Sequence, residues 1–187
     1  CTATADASGN WSCTTAALPA GTYSATATAT DAAGNTSNAS APAVNFVIDT
    51  STNVTFDAPV DGALSNDPNL VLSGTAEVGA TVVLTDANLG ELCRVTVPAS
   101  GNWSCAPTLG DAAYAVTAVA TDLAGNTASA GPVNFTIDTG TSVTLTSPVD
   151  GAQYTDAGIT IGGAGEPLAT IDVTQNDGGA ICSTTVQ

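Results

Sequence analysis

The chain repeats itself at intervals close to 90 residues, and that period constrains its fold more than any other feature. Asn45-Phe46-Val47-Ile48-Asp49-Thr50 returns as Asn134-Phe135-Thr136-Ile137-Asp138-Thr139, and Pro59-Val60-Asp61-Gly62-Ala63 returns as Pro148-Val149-Asp150-Gly151-Ala152, each 89 positions on. Ser8-Gly9-Asn10-Trp11-Ser12-Cys13 returns at residues 100–105 with an offset of 92, and Asp31-Ala32-Ala33-Gly34-Asn35-Thr36 returns at 122–127 with an offset of 91. Such a period is too long for a solenoid turn and matches one β-sandwich unit, so the chain reads as beads in series. Residues 51–139 make one whole unit, 1–50 the latter part of the preceding one, and 140–187 the opening part of the next.

Inside the whole unit, alternating apolar positions predict seven short strands, at 53–57, 69–73, 81–86, 92–97, 102–106, 113–121 and 133–138. Turn clusters separate them: Pro59-Val60-Asp61-Gly62, Ser73-Gly74-Thr75, Ala99-Ser100-Gly101-Asn102 and Ala124-Gly125-Asn126. No ten-residue stretch carries helical periodicity, so the fold class is all-β. Tyr114 opens the sixth strand after Leu109-Gly110-Asp111, where sandwiches place a tyrosine corner, and Tyr23 repeats it after Leu18-Pro19-Ala20-Gly21.

Composition narrows the function. Of 187 residues 17 are acidic, one is basic and none is histidine, a formal charge of −16. Nucleic acid and acidic membrane surfaces are therefore excluded as partners, because phosphate contact needs several cations and only Arg94 is present. Without histidine there is no Ser-His-Asp or Cys-His nucleophile and no HExxH zinc site; without lysine there is no Schiff base, P-loop grip or isopeptide staple. The hydrophobic fraction is 43% but only 4% is aromatic, so each core is small and in need of staples. No apolar run is long enough to span a bilayer. No initiating Met or basic leader is visible, which reads as an internal piece of a longer product.

Ser73-Gly74-Thr75-Ala76-Glu77-Val78-Gly79-Ala80-Thr81, Ala99-Ser100-Gly101-Asn102-Trp103-Ser104 and Ala120-Thr121-Asp122-Leu123-Ala124-Gly125-Asn126-Thr127 resemble the consensus of bacterial Ig-like tandem repeats from large surface adhesins and biofilm-associated proteins. The likeness runs through all three segments and implies an extracellular, stalk-forming protein of tandem Ig-like sandwiches; the composition, separately, reads as that of a chain that is not an enzyme. Two features depart from that pattern: Gly163-Ala164-Gly165-Glu166-Pro167-Leu168 loses the second glycine of the turn, and the cysteines are additional to it.

Cysteines stand at 1, 13, 93, 105 and 182. Cys93 and Cys105 flank the turn at Ala99 and Ser100, and a hairpin in which Cys93 faces Cys105 and Val95 faces Trp103 brings the sulfurs within bridging reach. Cys1 and Cys13 repeat the arrangement with Ala3 opposite Trp11. Structural disulfides fit best; a metal site lacks CxxC spacing and histidine, and a reactive thiol is the remaining alternative. Disulfides imply an oxidising compartment. Cys182 matches Cys93, so its mate is expected just beyond Gln187. Arg94 lies inside the expected ring, which makes protease resistance an expectation too. Trp11 and Trp103 share the face of the cysteines and are read as packing residues rather than sugar platforms.

Four carboxylates carry the metal question. Asp49 and Asp138 end the last strand of a bead, while Asp31 and Asp122 open a hairpin loop. Hard oxygens gathered at a joint suit calcium, with Asn35 or Asn126 completing the shell; the competing reading is aspartates that cap Asp-x-x-Gly-Asn turns or are merely solvated. Glycosidase chemistry needs only two acids, but these recur at repeat spacing with scant aromatic lining. Three functions result: the shaft of a surface adhesin or fibre, a filament whose subunits are completed by strands from neighbouring copies end to end, and a calcium- or glycan-binding adhesion module.

Overall fold

The computed structural model describes residues 1–187 and contains no helix. In 1–50, β1 (Gly21–Ala25) pairs antiparallel with β2 (Val44–Ile48). Residues 51–139 hold β3 (Ala63–Ser65), β4 (Leu72–Thr75), β5 (Thr81–Asp86), β6 (Gly90–Thr96), β7 (Asn102–Cys105), β8 (Ala112–Thr121) and β9 (Thr127–Ile137). Residues 140–187 hold β10 (Val143–Ser147) paired with β11 (Gly162–Gly165), and β12 (Thr170–Thr174) paired with β13 (Ala180–Thr185).

The segment 51–139 forms a two-layer sandwich. One layer is the five-stranded sheet β3-β9-β8-β5-β6 and the other is the pair β4-β7. Alternation sets the inward faces: Tyr114, Val116, Ala118 and Ala120 of β8 and Val82 and Leu84 of β5 point inward from one sheet, Leu72 and Trp103 from the other. Burial of each larger aliphatic side chain contributes about 1.5–3 kcal/mol. No residue of 1–50 or 140–187 is buried. The first of these segments nevertheless keeps the local geometry of the sandwich: Tyr23 stacks on Phe46 at 5.4 Å as Tyr114 stacks on Phe135 at 5.4 Å. Tyr23 donates its hydroxyl to Pro19 O and Tyr114 to Gly110 O, both at 2.8 Å, so both tyrosine corners form.

Four expectations change. Ser73-Gly74-Thr75, expected as a turn closing a strand at 69–73, lies inside β4, which starts only at Leu72. The segment 53–57 is not a regular strand but lies along β4 through the bridges Val54↔Ala76 and Ala58↔Ser73, with Thr55 N donating to Thr75 O at 2.8 Å. Ala63–Ser65 is a strand that the sequence did not suggest, three residues running parallel to Phe135–Ile137. β9 starts at Thr127 instead of 133, because Gly131 and Pro132 sit where the β8–β9 register shifts between Val116 and Ala118. At such a bulge the missing proline N–H costs no ladder bond.

The hairpin expected between Cys93 and Cys105 is also corrected. β6 pairs with β5, setting Cys93 opposite Leu84 and Val95 opposite Val82, whereas β7 pairs with β4, setting Cys105 opposite Leu72 and Trp103 opposite Gly74. The bridge Cys93–Cys105, with Cα atoms 6.7 Å apart, therefore joins the two sheets at their edge instead of two strands of one ladder. Cys1–Cys13 spans 5.9 Å between Cα atoms, and Cys182 is an exposed free thiol on β13. Trp103 is 2% exposed, edge-on to Phe56 at 5.6 Å, and its indole N–H donates to Thr75 O at 3.2 Å. Trp11, its counterpart, is 59% exposed.

Candidate functional site

The turn Asp-x-x-Gly-Asn builds the site. In the loop after β8, Asp122 Oδ1 accepts the N–H groups of Ala124 and Asn126 at 2.8 Å each, and Oδ2 accepts Asn126 Nδ2 at 2.7 Å. Gly125, at φ +91°, supplies the left-handed step that lets the loop close on its own carboxylate. Asp122 is only 7% exposed. Burial pushes its carboxyl up, but the bonds from Asn126, Ala124 and Gly125 outweigh it and hold the group below the ordinary carboxylate value.

Asn126 then reaches beyond its own loop: its Nδ2 also donates to the backbone oxygen of Asp49 at 3.2 Å, across 77 residues of sequence. Asp49 follows β2 directly, so this bond ties the end of the 1–50 segment to the pole of the sandwich. Carboxylate oxygens of Asp49, Glu77 and Asp122 lie within 4.8 Å of one another there. Asp49 Oδ1 accepts the Ser51 N–H at 3.2 Å, and Thr52 on the same connection keeps a buried hydroxyl with no partner. The chain's sole side-chain cation, Arg94, is engaged elsewhere, 2.8 Å from Glu91 on the exposed face of β6. Three carboxylates with no cation beside them form an oxygen-only donor set, the chemistry that suits a hard cation and not zinc or copper.

Of the four aspartates singled out from the sequence, Asp49 and Asp122 meet; Asp31 and Asp138 do not join that cluster. Asp31 folds an identical loop, accepting the N–H groups of Ala33 and Asn35 and the Asn35 side chain, and the Asn35 side chain foremost lowers its pKa. Asp138 faces a polar hollow with Glu166, Asp111 and Ser142. Glu77 was the residue missed. Its signal was its own recurrence, since Glu77-Val78-Gly79-Ala80-Thr81 returns as Glu166-Pro167-Leu168-Ala169-Thr170.

A family model described as a bacterial Ig-like domain matches residues 1–50 and 60–139. Among solved structures, one described as the BSP domain of a biofilm associated protein is similar at 24% identity with a TM-score of 0.34, over 64% of this chain and 19% of that one. No curated protein matches.

Proposed function

We propose, since this chain belongs to the bacterial Ig-like domain family, that it is a length of the shaft of an extracellular bacterial surface adhesin or fibre. In this reading 51–139 is one bead, and 1–50 and 140–187 are parts of the beads before and after it. The observation that carries the reading is the bond from Asn126 to the Asp49 backbone oxygen, a contact from the pole of one bead to the residue that follows the last strand of the bead before it. A spacer needs stiff joints, an inert surface and covalent staples. The reading is supported by the disulfides, which suit an oxidising compartment, and by the lack of any histidine or lysine for catalysis. Immunogold electron microscopy with antibodies to this chain tests it. Label on projections outside the cell envelope is expected, and label confined to the cytoplasm refutes it.

A calcium ion at the joint is a second reading, favoured by the meeting of Asp49, Glu77 and Asp122. These three would hold the ion, with water completing its shell, and it would offset their mutual repulsion and stiffen the connection. At a ligand concentration of 100 times Kd the stabilisation is about 2.7 kcal/mol. Calorimetric titration with calcium is expected to release or absorb heat in the native chain and not in Glu77→Gln; a silent titration of the native chain ends this reading.

A further inference from the structure

The outer face of the five-stranded sheet reads the same in both directions. Val82 and Leu84 on β5, and Ala118 and Ala120 on β8, are buried in the core, so alternation turns Thr81, Val83 and Thr85 outward from one strand and Thr117, Val119 and Thr121 from the next. The register sets these side by side: Thr81 opposite Thr121, Val83 opposite Val119 and Thr85 opposite Thr117. Thr96 of β6 and Thr127 of β9 extend the first row, so four threonines cross four strands in line. In a chain of net charge −16, the charged residues on these rows are Glu91 and Arg94, which neutralise each other at 2.8 Å.

We infer that this face is where two copies of the chain pack side by side, sheet against sheet about a two-fold axis. The inference goes beyond the shaft reading and rests only on the sheet. Both central strands read threonine, valine, threonine, so a two-fold axis in the plane of the face, whether along the strands or across them, sets valine on valine and threonine on threonine. The valine methyls then leave water together, and each threonine hydroxyl both donates and accepts across the contact. Over the rest of their surfaces two such acidic chains repel, so they approach most readily through a face without net charge. The threonine row also recurs outside the central unit: Thr30 bridges Thr36 as their counterparts Thr121 and Thr127 pair, and Thr170 lies opposite Thr185 as Thr81 lies opposite Thr96. The middle row does not recur. Asp172 stands on β12 where β5 has Val83, which confines the apolar centre of the face to the central unit and shows that this ladder position accommodates a carboxylate.

The size of the face sets the strength of the contact. Four strands about 4.8 Å apart and three rows about 6.8 Å apart cover about 400 Å² per copy, about 800 Å² for the pair, below the roughly 1,200–2,000 Å² of a stable complex. The contact is therefore weak between free chains and gains where many copies are held close together, because effective concentration rises. Salt screens the repulsion between two chains of charge −16 and leaves the apolar contact in place, so association strengthens as salt is added.

Sedimentation equilibrium on the full chain across a concentration series, at low and high salt with reductant-free buffer, tests the inference. The expected result is a monomer–dimer equilibrium that tightens with salt. Val83→Asp, which copies the residue β12 carries at this position, is expected to weaken dimerisation about tenfold or more while the melting of the central unit stays unchanged. Thr121→Asp, at the exposed end of the face, is expected to do the same and decides the matter if Val83→Asp melts early. Val60→Asp adds the same charge on the exposed loop before β3 and is expected to leave the equilibrium as it was. Mixing a chain carrying Val83→Asp and Val119→Asp with one carrying Val83→Lys and Val119→Lys is expected to restore dimers that neither forms alone, since opposite charges then meet across the axis. A chain that stays monomeric at every concentration and salt, dimers that the face variants leave intact or that Val60→Asp weakens equally, or a mixture that recovers none overturns the inference. Immunogold labelling of surface projections is moved by none of these results, which keeps failure here distinct from failure of the shaft reading.

Discussion

Breaking the bridge between Cys93 and Cys105 probes the architecture most directly. The two cysteines are 12 residues apart in sequence, and the bridge clips the edge of one sheet to the edge of the other. In the chain-entropy treatment a ring of this size restricts the unfolded state by roughly 3 kcal/mol. For a unit of this length that corresponds to a fall in Tm of about 12–24 °C, at about 4–8 °C per kcal/mol. Cys93→Ala with Cys105→Ala is the perturbation, in a Trp11→Phe background so that Trp103 alone reports by fluorescence. Trp103 is buried against Phe56, so its emission shifts to the red when the sheets part. The matched control is Cys1→Ala with Cys13→Ala. That bridge closes a ring of the same length in a segment that buries nothing, so in dilute solution it leaves the Trp103 transition where it was. Equal shifts from the two pairs, or a shift of the central transition below about 3 °C, refute the inter-sheet clip.

Gly74→Ala forces a methyl against the Thr55 carbonyl and the Trp103 ring and is expected to cost about 1–3 kcal/mol, whereas Gly110→Ala, with open space around it, is near neutral; thermal denaturation of the two variants checks this. Asp86 is 2% exposed; burial raises its pKa, but the N–H groups of Ala115, Asn88, Leu89 and Ala87 outweigh that and hold it below 3.8. A lowered folded value means that its stabilisation is complete above 3.8 and lost as pH falls through the folded pKa, so the gap in Tm between native chain and Asp86→Asn is expected to narrow only below that value. A gap that is constant from neutral pH to about pH 2 contradicts it. Arg94, the one tryptic site, lies in β6 inside the disulfide ring. Trypsin is expected to leave the native chain intact, and any cut to add the mass of one water without separating fragments until reductant is present.

The repeat made the all-β class, the tyrosine corners and the strands 81–86 and 113–121 legible, because alternation and turn residues are local. Sheet membership was not. Cys93 and Cys105 flank a turn at Pro98 to Gly101 that looks like a hairpin, yet the turn Asp86-Ala87-Asn88-Leu89-Gly90 claims β6 for β5, and the later turn becomes a crossing between layers. Glu77 escaped notice for a related reason: it sits beside a turn like many solvated acids, and only folding sets it near Asp49 and Asp122. The altered turn at 166–169 keeps its shape without the glycine. Leu168 adopts φ +68° where Gly79 has +84°, a strain of about 1–2 kcal/mol.

The short strand β3 lies near the start of the central sandwich and β9 ends it, and the two run side by side in the same direction through Ala63↔Phe135, Leu64↔Thr136 and Ser65↔Ile137. Traction applied along the chain therefore pulls these strands past each other lengthwise. Their hydrogen bonds are loaded together in shear and do not peel one at a time, and Asp61, just upstream, anchors the same corner, its Oδ1 accepting the Asn134 N–H at 2.8 Å. A pull through the residues on either side of the central sandwich loads this three-residue patch, the smallest strand in the sheet, along its length.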